Sequence, residues 1–106
     1  MTESEFLVEA EKTLTAIERA IEAVDIDIET ERAGSVLTLE IEDAGKIVVN
    51  TQAPMQQIWL AARSGGFHFA WTGGGWHDTR DGRELFAALS TIVSAQSGVA
   101  VVLRPR

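Results

Sequence analysis

The 106-residue chain contains no cysteine. That absence excludes a disulfide scaffold, a zinc–thiolate site, a set of iron–sulfur ligands and a thiol nucleophile. Long apolar runs are missing too: the strongly hydrophobic stretches are only a few residues long, so no membrane-spanning segment is expected. The opening MTESEFLVEAEK is acidic. It has neither the basic start of a signal peptide nor the Arg-rich face of a transit peptide, which points to the cytoplasm. Basic residues are scarce, nine Lys and Arg against sixteen Asp and Glu, for a net charge of −7. General phosphate attraction needs a basic face, so nucleic acid is not an expected partner.

What is present is ordinary globular material. Hydrophobic residues make up 45% and charged residues 24%, close to the usual balance, and the length suits one domain over residues 1–106. The charge is unevenly spread. Residues 1–43 carry thirteen acids and three bases, or −10, whereas residues 44–106 carry three acids and six bases, or +3. The front half therefore favours cations or a basic protein surface.

Apolar spacing predicts a helix over 3–24: Phe6, Ala10, Leu14, Ile17, Ile21 and Val24 recur at steps of three and four, with Leu7 beside them. Thr2 and Glu5 have capping-box spacing. At 100° per residue, Glu11, Glu18, Glu22 and Asp25 share one flank. From Asp25 the period becomes two. Ile26 and Ile28 alternate with Asp27 and Glu29, a turn falls at Ala33–Gly34, and alternation resumes from Val36 or Leu37 to Ile41. Further strands are expected at Lys46–Asn50, Gln56–Ala62, Gly66–Trp71 and around Trp76. Their short connections favour an antiparallel meander. Asp81 and Glu84 form a second capping-box-like pair before a helix over Arg83–Gln96, with Gly98 as its stop. Val99–Arg104 fits either a last strand or an extended tail against the helices. The pattern is α+β, a two-layer sandwich with the N- and C-terminal helices on one face of the sheet.

Two groups of residues stand out. Glu3, Glu11, Glu18, Glu22 and Asp25, continued by Asp27, Glu29 and Glu31, make an acidic ridge. Carboxylates suit divalent cations and oxidised iron, and an exposed ridge of them would bind metal weakly and with little selectivity. The same residues also fit a solvated helix face. The second group lies in residues 50–71, which hold four of the seven aromatics. If Ile58 and Leu60 face the helices, Gln57 and Trp59 face away, Phe67, Phe69 and Trp71 point inward, and His68 points outward. An exposed Trp among amides has the composition of a binding hot spot. Alternation alone leaves the inverted assignment, with Trp59 in the core, equally open. No nucleophile elbow, phosphate loop or convergent metal-ligand spacing is present, so no enzyme is expected and no organic cofactor.

The run Asn50-x-Gln-x-Pro-x-x-Gln-Ile-Trp-Leu-Ala is followed by Ser64-Gly65-Gly66-Phe67-His68-Phe69, Trp71-Thr72-Gly73-x-x-Trp76 and Asp81-Gly82. It resembles the frataxin family, in particular its short bacterial branch. The resemblance extends from Ser4-Glu5-Phe6 to the second helix. It implies an iron-binding protein (Fe2+ or Fe3+) that regulates iron–sulfur cluster assembly through contacts with the cysteine desulfurase and its scaffold protein. It also implies a monomer in the absence of iron. By similarity, Glu3, Glu11, Glu18, Glu22 and Asp25 match the family's acidic ridge. Asn50, Gln52, Gln57 and Trp59, with His68 near them, match its partner-binding sheet patch, in which the Trp is exposed. Arg19 and Ala23 stand where relatives often carry the second acid of a pair, and Leu7 where some carry His. An iron-handling ferroxidase or store that uses the ridge carboxylates is the second reading. A protein-interaction module with incidental metal binding is the third.

Overall fold

A computed structural model describes residues 1–105. The first helix, α1, spans Glu3–Glu22. At its start the Thr2 hydroxyl accepts the Glu5 amide at 3.1 Å, and the Thr2 amide donates to the Glu5 carboxylate at 2.7 Å. This is the reciprocal capping box read from the sequence. The helix stops two residues short of the predicted end, so Val24 and Asp25 lie in the loop beyond it rather than on its flank. Phe6, Ala10, Leu14, Ile17 and Ile21 are buried as the spacing requires. Leu7 departs from the prediction and is exposed, on the edge of the stripe.

Six strands follow: β1 (Ile28–Ala33), β2 (Val36–Ile41), β3 (Gly45–Gln52), β4 (Gln57–Ala62), β5 (Gly65–Thr72) and β6 (Gly75–Asp78). They form one antiparallel meander in the order β1-β2-β3-β4-β5-β6. The first strand starts two residues later than the alternation at Ile26 indicated. Its turn is Gly34–Ser35 rather than Ala33–Gly34, because Gly34 takes the left-handed φ of 59° that a tight two-residue hairpin needs. Leu37, Leu39, Ile41, Ile47, Val49, Ile58, Leu60, Phe69 and Trp76 are buried on one face, packed into a single cluster with α1 and the second helix. Phe67 and Trp71 also point inward but are only partly covered. The opposite face of the sheet is left to solvent.

The second helix, α2, spans Leu85–Ser97. Its cap is Glu84, whose carboxylate accepts the amides of Phe86 at 2.8 Å and Ala87 at 3.1 Å. Asp81, the expected cap, instead accepts the Arg83 amide and pairs with its guanidinium in the preceding turn. Those contacts hold the Asp81 carboxyl below its ordinary pKa, the Arg83 backbone amide first among them. Gly98 ends the helix at a φ of 76°.

The residues after Gly98 settle the open alternative at 99–104. They form no strand but lie extended along α2. Ser90 and Ser94, one helical turn apart, bind alternate tail residues. The Ser94 hydroxyl accepts the Val101 amide at 2.8 Å and donates to its carbonyl at 3.0 Å; the Ser90 hydroxyl accepts the Leu103 amide at 2.8 Å. Four residues of helix rise about 6 Å, close to two residues of extended chain, so the two ladders match. Val101 and Leu103 are thereby buried against the core.

Candidate functional site

The open face of the sheet is ordered into cross-strand rows by the register. Asn50, Trp59 and His68 lie directly opposite one another across β3, β4 and β5, with Val36 of β2 completing the row. Gln52, Gln57, Ala70 and His77 form the adjacent row. All five residues of the expected sheet patch therefore sit together on the face away from the helices. Trp59 is half-buried rather than freely exposed. His68 stacks on its indole with ring centroids 4.4 Å apart and planes 9° from parallel, and Gln57, two residues away on the same face, accepts the indole N–H at 2.9 Å. A Trp fixed on one ring face and at its polar edge is already ordered before any partner arrives, which lowers the entropy cost of binding. Asn50 and Gln52 are also partly covered, and His68 is exposed.

The acidic residues wrap around the β1 edge of the sheet. On α1, Glu3, Glu11 and Glu22 are exposed and Glu18 is partly covered; Asp25 and Asp27 follow in the loop, and Glu29 and Glu31 lie on the outer face of β1. Glu29 stands directly opposite Glu40 of β2, and Glu40 in turn faces Lys46 of β3, with an ion pair of 3.6 Å. Like charges opposed across strands are destabilising by a few tenths of a kcal/mol or more. Glu40 and Glu42 were not among the residues singled out from the sequence. They join Asp27 and Glu29 around a cleft of about 320 Å³ at this corner.

The sequence also gave no hint of the countercharge on the ridge. Arg32 of β1 points toward α1 and pairs with both Glu11 and Glu18. Among the described residues, no three or more His, Cys, Asp or Glu side chains converge to hold a metal ion. The ridge acids therefore form a spread of separate carboxylates around the sheet edge. No helix among the described residues is long and apolar enough to cross a membrane.

Residues 1–99 match the sequence model of a frataxin-like domain. The iron–sulfur cluster assembly protein CyaY of Paraburkholderia phymatum is 53% identical over 105 residues, which cover 99% of this chain and 100% of that one. Its counterpart from Janthinobacterium sp. (strain Marseille) is 58% identical over 109 residues, covering 98% and 97%. Among solved structures, frataxin from Psychromonas ingrahamii superposes with a TM-score of 0.88 at 38% identity, covering 95% of this chain and 96% of that one. Trimeric yeast frataxin complexed with ferrous gives a TM-score of 0.67 at 32% identity, covering 92% and 88%. With two helices on one face of a six-stranded antiparallel sheet and relatives matched along nearly their whole length, the chain belongs to the frataxin family.

Proposed function

We propose that this protein is a non-enzymatic, iron-binding regulator of iron–sulfur cluster assembly. It engages the cysteine desulfurase and its scaffold protein through the ridge and the sheet patch. The observation that carries this is the arrangement of Asn50, Trp59 and His68 in one row, with a pre-stacked indole, on the same open face as Glu29 and Glu31 of β1. Three strand spacings separate β1 from β4, roughly 14 Å. A partner footprint of about 800 Å² covers both features. In this account Gln57 holds Trp59 in place, Asn50, Gln52 and His68 supply polar contacts around it, and Glu18 and Glu22 meet basic residues of the partner. Long-range attraction comes from Glu3, Glu11, Glu18, Glu22, Asp25, Asp27 and Glu29.

Iron is cargo or effector here, held weakly at the surface by the same acids. The relatives named for iron–sulfur cluster assembly and the yeast structure with ferrous support that choice of metal. The ferroxidase reading is less well supported, because the ridge offers separate carboxylates and no convergent cage among the described residues. The test is cluster synthesis on a scaffold protein, driven by a cognate desulfurase, with and without this protein. The wild type should change the rate, and Trp59→Ala should lose most of that effect while keeping its fold by circular dichroism. An equal effect from Trp59→Ala would refute the role of the patch. Multi-turnover oxygen uptake with ferrous iron would favour the oxidase.

A further inference from the structure

The two outer edges of the sheet end differently. Along β6 the chain returns against the strand: the Asp78 amide donates to the Arg83 carbonyl at 2.8 Å, and His77 bridges to Glu84. That edge is covered. At the other edge, the register of β1 fixes which backbone groups point away from β2. Opposed residues in an antiparallel pair alternate between hydrogen-bonded and non-bonded. Ala33 and Val36 close the two-residue hairpin as a bonded pair, and the Glu42 amide, donating to the Asp27 carbonyl at 3.2 Å, keeps the same phase. Asp27, Glu29, Glu31 and Ala33 therefore direct their backbone groups to β2, while Ile28, Thr30 and Arg32 direct theirs to the open edge. The Ile28 amide is taken by the Ile26 carbonyl at 3.0 Å. The amides of Thr30 and Arg32, and the carbonyls of Ile28, Thr30 and Arg32, have no hydrogen-bond partner among the described residues. An open strand edge is a template for another extended chain.

The side chains along this edge select which chain fits. Glu29 and Glu31 are exposed on the outer face of β1. Lys46, Glu40 and Glu29 form one row across the sheet, with Glu40 paired to Lys46 at 3.6 Å. Glu29 thus has an acid on its β2 side, and a basic residue on its open side would compensate both acids. A second copy of the chain does not suit this edge. Antiparallel pairing centred on Thr30 would set Glu29 of each copy against Glu31 of the other, which is repulsive. We propose that the β1 edge docks an extended, basic segment of a protein partner by strand addition. Main-chain hydrogen bonds go to Thr30 and Arg32, and Lys or Arg side chains two residues apart lie opposite Glu29 and Glu31. This rests on the partner role proposed above and deepens it, by naming the form of segment that the acidic edge takes.

The experiment titrates isotopically labelled protein with a blocked heptapeptide of alternating Thr and Lys and follows amide shifts and hydrogen exchange. The parent peptide should shift the Thr30 and Arg32 amides and slow their exchange, while Glu29 and Glu31, already bonded to β2, change little. Two further peptides carry N-methyl groups, one at every Thr and the other at every Lys. Their charge is that of the parent, but each has lost the amides along one edge of the strand. A docked strand bonds through one edge only, so one methylated peptide should bind as the parent does and the other at least about fivefold more weakly. Thr30→Pro removes the open-edge amide without touching the β1–β2 ladder, a place where an edge strand tolerates proline. It should also weaken the parent peptide at least about fivefold; should it not fold, the methylated pair carries the test. Equal binding by all three peptides, or full affinity in folded Thr30→Pro, would overturn the proposal. If that equal binding weakens with salt, the acidic surface still attracts basic segments and only strand addition fails. Absence of binding by every peptide overturns strand addition too, and leaves the Trp59→Ala test of the proposed function to stand or fall by itself.

Discussion

The ridge is useful only if α1 is fixed against the sheet, and one buried polar contact makes a sharp test of that. Trp76 of β6 donates its indole N–H to the Thr13 hydroxyl of α1 at 2.8 Å, and Thr13 in turn donates to the Glu9 carbonyl at 2.7 Å. Trp76 and Thr13 are only 4% and 8% exposed, so water cannot replace either partner. The indole is further held edge-on by Phe6, 5.8 Å away, and by Trp71, 5.1 Å away. Thr13→Val keeps the shape of the side chain and removes the hydroxyl, and with it the acceptor for Trp76 and the donor to Glu9. A buried donor left without a partner costs about 1–3 kcal/mol. For a domain of this size each kcal/mol lowers the melting temperature by roughly 4 °C or more, so a fall of about 4–15 °C is expected by calorimetry. A double-mutant cycle isolates the contact. In a Trp76→Phe background, which has no N–H to strand, Thr13→Val should cost at least about 1 kcal/mol less, because only the minor loss at the Glu9 carbonyl is then shared by both backgrounds. Equal costs in the two backgrounds, or a melting temperature within 1 °C or so of wild type, would refute the claim that this bond ties α1 to β6.

Two further outcomes follow from the caps and the tail. The Thr2 backbone amide, with the Thr2 hydroxyl second, holds the Glu5 carboxyl below its ordinary value of 4.5. A carboxylate whose folded pKa is depressed contributes stability above its unfolded pKa and loses that contribution as pH falls through the folded value. Glu5→Gln should therefore lie below wild type in urea denaturation at neutral pH, with the gap closing as pH drops below 4.5; a gap that stays constant would contradict the cap's ionic role. Ser94→Ala removes both bonds to Val101. It should cost about 1–2 kcal/mol and speed hydrogen exchange at the Val101 amide, leaving β3 amides protected; unchanged exchange at Val101 would show that the tail is held by packing alone.

Much of this was legible in the sequence because periodicity and capping are local. The stripe Phe6–Ile21, the Thr2–Glu5 box and the Gly98 stop depend on neighbours within a turn or two. The face of Trp59 was not legible from alternation, which is symmetric under exchange of faces; the family resemblance, and then the burial of Ile58 and Leu60, broke the symmetry. Register was lost for a related reason. A turn centred on Ala33–Gly34 would set Glu29 opposite Thr38 and Asp27 opposite Glu40, whereas the Gly34–Ser35 turn sets Glu29 opposite Glu40, so the identity of the opposed acids depends on the register. Arg32 was invisible as a partner of Glu11 and Glu18 because the contact joins residues 14 and 21 positions apart. Strand periodicity says that Arg32 points inward but not which acids it meets. The serine strap of the tail was missed likewise. Ser90 and Ser94 carry no signal until the chain beyond Gly98 is seen to run back along α2.

The most direct test of the central claim is calorimetric binding to a cognate cysteine desulfurase at low and moderate salt, comparing wild type with a Glu22→Lys/Asp25→Lys variant. If the ridge supplies attraction to a basic partner surface, wild-type affinity should fall steeply with salt. The variant should bind at least about tenfold more weakly at low salt, and the two should converge as salt rises. Equal affinity of the folded variant and wild type at low salt, with no salt dependence in either, would contradict the account.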